Sequence, residues 1–229
     1  MLNTKRTDWD AYYSRPYASA SLTRRVTAAK LLGLIRKYAG QSRRPLRIVE
    51  FGGANSCFCE GLVAALRPEG YDVVDNNQRG LAAFQRKKLG GASTGAHLID
   101  VLSDDIGALS GRYDVCFSVG LIEHFDPAKT VRAITAHIQA LRPGGIAIIT
   151  YPTPTWLYRA TRSLAELTGQ WIFWDERPLL HEEPERTLCR QGEILHRETN
   201  WWIFLTQGII VVRKPKGDIS ELPPAGVPS

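Results

Sequence analysis

Ten consecutive residues constrain this chain more than any others: Arg47-Ile48-Val49-Glu50-Phe51-Gly52-Gly53-Ala54-Asn55-Ser56. An apolar strand ends in an acid, then turns on glycine and small residues into a helix that begins near Cys57-Phe58. Such a turn has a physical use. Glycine permits tight backbone angles and close approach of a ligand to the main chain. The helix that follows presents N–H groups without intrahelical partners. The segment is suited to cradling a nucleotide-like cofactor, and it predicts that strands and helices alternate after it.

The alternation is visible along the chain. Residues 22–39 read as an amphipathic helix with Leu22, Val26, Ala29, Leu32 and Ile35 near one face. Residues 46–51 form the first strand and 57–66 a helix. A second strand over 71–74 ends at Asp75, a helix covers 80–89, and a short strand over 96–99 ends at Asp100. Residues 113–119 are mostly apolar, as a buried parallel strand requires. Asp126 caps the next helix and Pro127 suits its first position. Val131, Ile134, Ile138 and Leu141 mark its buried face, and Pro143-Gly144-Gly145 ends it before a strand over 146–150. Strands alternating with helices indicate βαβ units and a parallel sheet.

Beyond residue 150 the pattern changes. Residues 151–197 are rich in aromatic and charged side chains and too long for a simple connection, so they read as a partly helical cap. Residues 201–205 and 209–213, joined by Thr206-Gln207-Gly208, read as a β-hairpin. Residues 215–229 hold four prolines and little apolar content, the composition of a disordered tail.

Composition narrows the class. A length of 229 residues suits one α/β domain with additions. The apolar runs are strand-length, so no membrane span is expected, and the N-terminal charges have no apolar run behind them, so no signal peptide is expected. Four cysteines at irregular spacing predict reduced thiols and a cytoplasmic location. The net charge of +6 is concentrated toward the N-terminus. It reads as a solvated helix face and linker, or as attraction to an anionic substrate or RNA.

Residues 46–152 resemble the cofactor half of the class I S-adenosyl-L-methionine (SAM)-dependent methyltransferases, especially the small-molecule methyltransferase group. Four pieces match in order. They are the glycine turn at 49–56, the acid Asp75 after strand two, Asp100-Val101 after strand three, and Tyr113 through Phe125 followed by Leu141-Arg142-Pro143-Gly144-Gly145. Ala54 and Ser56 depart from the family pattern by standing at its second and third glycine positions; both are small.

The resemblance implies an α/β fold: a Rossmann-like, doubly wound, mostly parallel seven-stranded sheet with an antiparallel terminal hairpin. It implies a lid over residues 1–40, a SAM-binding core over 41–150, a substrate cap over 151–197, the terminal hairpin over 198–214 and a tail over 215–229. It further implies SAM bound by Glu50, Phe51, Gly52, Gly53, Ala54, Ser56, Asp75, Asn76, Asp100, Val101, Ser118, Val119 and Gly120. In this frame Asp75 accepts from the ribose hydroxyls, although the same acid beside Asn76-Asn77 also suits a turn. Asp100 accepts from the adenine amino group or caps a helix. Glu50 orients the turn or the methionyl ammonium, and Ser118-Val119-Gly120 lies beside the methionine part.

The implied activity is methyl transfer to a small-molecule acceptor, a sugar or a ring-bearing metabolite, with oxygen favoured over nitrogen. His124 titrates near neutrality and is the candidate base; otherwise it packs under the cofactor or holds its loop. Tyr13, Tyr17, Tyr151, Trp156, Trp174 and His181 are the candidate substrate contacts, and Trp9 and Tyr12 join Tyr13 and Tyr17 in the lid. Consecutive His181-Glu182-Glu183 reads as a charged run, so no metal is expected. A nicotinamide enzyme would carry Gly-x-Gly-x-x-Gly, of which only the first pair is present. Nucleic acid is not the expected partner: methylases of exocyclic base nitrogens usually carry Asp/Asn-Pro-Pro-aromatic where this chain has Ser118-Val119-Gly120-Leu121. An RNA methyltransferase and a catalytically silent SAM-binding protein remain the alternatives.

Overall fold

A computed structural model describes residues 6–14, 21–40 and 44–217. Two helices open it, the short α1 (Trp9–Ser14) and the longer α2 (Ser21–Ala39). Strand and helix then alternate through β1 (Arg47–Phe51), α3 (Cys59–Leu66), β2 (Gly70–Asp75), α4 (Gln78–Gln85) and β3 (Ser93–Leu98). A 3₁₀ turn leads to β4 (Tyr113–Val119), and a second one, Ile122–His124, to α5 (Pro127–Ala140) and β5 (Leu141–Pro152). The chain closes with α6 (Trp156–Leu167), α7 (Glu182–Leu188), β6 (Glu193–Asn200) and β7 (Gln207–Arg213).

The strands form one seven-stranded sheet in the order β3-β2-β1-β4-β5-β7-β6. The first five are parallel; β7 runs antiparallel to β5 and to β6. This is the expected doubly wound sheet with an antiparallel end. The core lies on both of its faces because neighbouring strand residues point to opposite sides. Val49 and Phe51 pack with Ile134 and Ile138 of α5, whereas Ile48 packs with Leu31 of α2, Leu62 of α3 and Phe84 of α4. Burial of these apolar faces is the main driving force for the layered arrangement.

Local signals explain where elements start and stop. The Asp126 side chain accepts from the Lys129 N–H and Pro127 occupies the first turn of α5. Thr155 caps α6 through the Tyr158 N–H, and Asn77 caps α4 through the Gly80 N–H. No helix among the described residues is long and apolar enough to cross a membrane.

Three expectations change. The hairpin is built from Glu193–Asn200 and Gln207–Arg213, so residues 201–205 are its connecting loop and its first strand lies within the expected cap. At the sheet edge β6 needs only one apolar side, which hides its strand pattern, while the apolar loop imitates one. In α2 the buried residues are Thr27, Leu31, Leu34 and Ile35, and Leu22 is exposed. In α5 Val131 faces solvent and Thr130, Ile134, His137 and Ile138 face the sheet. Helix α2 is rotated from the face predicted by apolar spacing, whereas of the α5 set Ile134, Ile138 and Leu141 are buried as expected and only Val131 is not; in both, small and polar residues also seat at the interface.

Candidate functional site

The strand order reverses between β1 and β4, and this is where a crevice opens at the C-terminal ends of parallel strands. Gly52 follows β1 with φ +68°, a conformation costly to other residues, and a Cβ there would meet Leu121 Cδ1 at 2.8 Å. A Cβ on Gly53 would strike Glu50 Cδ at 2.5 Å. Ala54 and Ser56 hold positive φ values of 34° and 27°, so they take the backbone shape that glycine supplies elsewhere in such turns.

Buried polar groups hold the turn. Glu50 accepts from the Ser56 hydroxyl at 2.5 Å and the Tyr71 hydroxyl at 2.6 Å. Burial raises the Glu50 carboxyl to about 7, against the lowering effect of these hydrogen bonds and of Lys87. Asp75 accepts from the Ala54 N–H at 3.0 Å and the Asn77 N–H at 2.8 Å, tying the glycine turn to the end of β2. Burial raises the Asp75 carboxyl as well, with the backbone N–H bonds opposing.

Beside this turn lies a cavity of roughly 570 Å³. At one end it is lined by Gly52, Asp75, Asn76, Asp100, Val101, Val119 and Gly120. Glu50, Phe51, Gly53, Ala54, Ser56 and Ser118 lie behind that wall: Phe51, Ala54 and Ser118 are fully buried, and Glu50 turns its carboxylate inward to Ser56 and Tyr71. Seven of the thirteen expected cofactor residues therefore face the cavity and six do not.

The other end is aromatic and acidic. Trp9, Tyr12 and Tyr13 of α1 line it with Tyr158, Trp171 and Phe173 of the cap. His124 sits among them, with Trp9 edge-on at 4.9 Å between ring centroids. Its Nδ1 lies 3.1 Å from Asp175 Oδ1, and its Nε2 is 3.9 Å from Glu123 Oε1. Thr7 also donates to Asp175. Burial opposes protonation of His124, but the Asp175 hydrogen bond and the charges of Glu123, Asp175 and Glu176 outweigh it, so its pKa stands above the ordinary value. Burial would raise Asp175 too, yet the bonds from His124 and Thr7 hold it down at about 2. Glu123 is pushed up by burial to about 8, and its Oε2 has no hydrogen-bond partner among the described residues. Glu123, His124 and Glu176 place ligand atoms within 4.8 Å of one another, a grouping within reach of a metal ion.

The cap is clamped over this end. The Arg177 N–H donates to the Glu123 carbonyl at 3.0 Å, and its guanidinium grips Glu183 at 2.7 Å through both nitrogens. The Arg162 guanidinium lies 4.7 Å over the Trp171 ring.

Of the expected substrate contacts, Tyr13 lines the cavity and Tyr17 lies outside the described residues. Tyr151 precedes Pro152 in β5 and therefore faces the other side; its hydroxyl meets His181 Nδ1 at 2.8 Å, away from the cavity. His181 Nε2 in turn meets Thr199 Oγ1 at 2.9 Å. Trp156 and Trp174 are exposed and are not among the residues that line the cavity. Spacing did not single out Asp175, Glu176 or Glu123, nor the inward role of Trp171 and Phe173. The available signal was the density of aromatics and acids over 171–177, next to no other motif in sequence.

Comparison with known proteins agrees with this architecture. A family model described as a methyltransferase domain matches residues 23–193. Curated proteins give no match. The solved structure of magnesium protoporphyrin IX methyltransferase from Synechocystis, with bound SAH, is similar at a TM-score of 0.69 and 12% identity, covering 90% of this chain and 92% of that one. N-methyltransferase NodS from Bradyrhizobium japonicum, in complex with S-adenosyl-L-homocysteine, has a TM-score of 0.66 and 14% identity over 90% of this chain and 96% of its own. The cyclase SpnF is similar at 0.61 and 14% identity, covering 82% of this chain and 81% of that one. One fold thus carries several chemistries, and the acceptor must be argued from the site.

Proposed function

The chain belongs to the methyltransferase-domain family; we propose that its cofactor is SAM and that it methylates a hydroxyl of a small-molecule acceptor held against His124. The residues fit the cofactor. A Cβ at Gly52 would fill the cradle, Asp75 and Asp100 offer acceptors along one wall, and Val119 and Gly120 offer backbone at the other. When bound there, SAM supplies an electrophilic methyl group.

The observation that carries the reading is His124, which lines the aromatic-walled cavity while its Nδ1 is hydrogen-bonded to Asp175. Asp175 fixes the ring and holds the proton on Nδ1, which leaves Nε2 as the base. An acceptor hydroxyl at Nε2 loses its proton to His124 as it is methylated. Trp9, Tyr12 and Phe173 shield the same point from water, and the cap fixes the acceptor's orientation.

A base must be neutral to act, and the His124 pKa is held above its ordinary value. Turnover should therefore rise with pH through that raised pKa. His124→Ala should lower kcat/KM about 10²- to 10³-fold while calorimetric SAM affinity stays within about twofold. Asp175→Asn should shift the rise of the pH profile to lower pH, an effect that loss of packing alone would not produce. Unchanged turnover in His124→Ala would remove it as the base, and turnover confined to tRNA or rRNA would end the small-molecule reading.

A second reading has its own support. Glu123 and Glu176 beside six aromatic rings would also hold an ammonium group, one of the two carboxylates taking its proton so that the neutral amine attacks the methyl group. Paired hydroxyl and amine forms of one acceptor, assayed by S-adenosyl-L-homocysteine release, separate nitrogen from oxygen methylation.

A further inference from the structure

The outward face of α6 is apolar. Trp156, Ala160, Leu164 and Leu167 lie along one side of the helix, and Trp156 and Leu167 are 73% and 85% exposed. The inward side carries Tyr158 and Arg162, which bond to the cap. A surface helix ordinarily turns its apolar stripe to the core; this one turns it to solvent.

The loop between β6 and β7 continues the surface. Trp202 and Phe204 are 80% and 72% exposed. The loop is fastened to α6 by the hydrogen bond between Thr155 Oγ1 and Thr206 Oγ1 at 2.7 Å, and the Phe204 carbonyl lies 3.5 Å from Thr161 Oγ1. The two parts therefore form one patch. It adjoins the cavity, because Thr161 and Ala165 of α6 and Leu205 of the loop also line it. Basic residues predominate beside it. Arg159 on α6 and Arg25 on α2 are exposed, the exposed Glu166 of α6 is paired with Arg162, and α2 carries five basic residues and no acid, of which Lys30 pairs with Glu198. Thr23 and Arg24 of α2 line the same cavity.

We propose that this patch docks on an anionic lipid bilayer and brings the cavity to the membrane surface, where an amphiphilic acceptor enters. Tryptophan, leucine and phenylalanine on a face flanked by arginine suit the headgroup boundary, where apolar burial and attraction to anionic lipid add. A second copy would set these basic residues against their like; an anionic surface neutralises them. The net charge of +6 acts in the same direction. The acceptor's entry rests on the methyltransferase reading; the docking does not.

Sedimentation with vesicles tests the docking on the full chain. One set contains equal parts phosphatidylglycerol and phosphatidylcholine, the other phosphatidylcholine alone. The protein should pellet with the first set and at least about tenfold less with the second. The pairs Trp202→Ser with Phe204→Ser, and Leu164→Ser with Leu167→Ser, should each lower partitioning at least about tenfold and leave calorimetric SAM affinity unchanged. No pelleting of the unmodified protein overturns the proposal, as does unchanged pelleting of both pairs. A dimer seen by light scattering that the same substitutions dissolve, without vesicle binding, assigns the face to self-association and also overturns it. Vesicle binding without any methyl transfer would count against the proposed activity and leave the docking intact.

Discussion

His137 is fully buried in α5, with Nδ1 donating to the Ala133 carbonyl at 2.7 Å and no hydrogen-bond partner for Nε2 among the described residues. Burial lowers its pKa from 6.5 to about 4. The unfolded chain then binds a proton that the native state refuses, so stability is complete above 6.5 and falls with pH through the window down to about 4. That window amounts to roughly 3 kcal/mol. His137→Leu should lose less stability than the unmodified protein between neutral pH and pH ~4.5, measured by urea unfolding; equal losses would clear His137 of the effect. At this scale the sequence was legible where a residue's position is set by its own neighbours. Gly52, Asp75 and Asp100 stand at or within two residues of strand ends, and all three line the cavity. The partner of His124 was not legible, because Asp175 lies 51 residues away and reaches it only through the folded cap.

Helix α1 touches the site more than its six residues suggest. Trp9 packs on His124, Asp10 accepts from the Asn77 amide at 2.8 Å, and Tyr13 lies against Gly80 at the start of α4. If α1 is a lid, deleting residues 1–14 should leave a cooperatively folded sheet and cut turnover at least about tenfold by admitting water and loosening the acceptor. Melting and specific activity measured on one sample check this; full activity per folded molecule would reduce α1 to a covering helix. Elements with strong local signals were readable in advance. Strand β4 fell on its predicted residues, and α5 began at its predicted cap. Strand β6 escaped because an edge strand faces solvent on one side and alternates weakly, whereas the apolar 201–205 loop had strand composition without a strand partner.

Over the whole molecule, the cavity joins the ends of β1 to β4, so a ligand there links strands that otherwise meet only through the sheet. SAM at about 100 times its dissociation constant should stabilise the fold by about 2.7 kcal/mol and raise the melting temperature by roughly 5–10 °C. Asp75→Ala should reduce that rise at the same SAM concentration; an identical rise in a folded variant would remove Asp75 from the cofactor wall. The sequence by itself determined the βαβ alternation, the glycine turn and the acids at the strand tips, because strand periodicity, helix caps and turn chemistry act over a few residues. Only the tertiary structure decided which aromatics face the cavity, that Asp175 and Glu176 join Glu123 and His124, and that the apolar stripe of α6 points to solvent. Those outcomes depend on how the cap packs across the sheet, and long-range packing leaves no spacing for a single sequence to display.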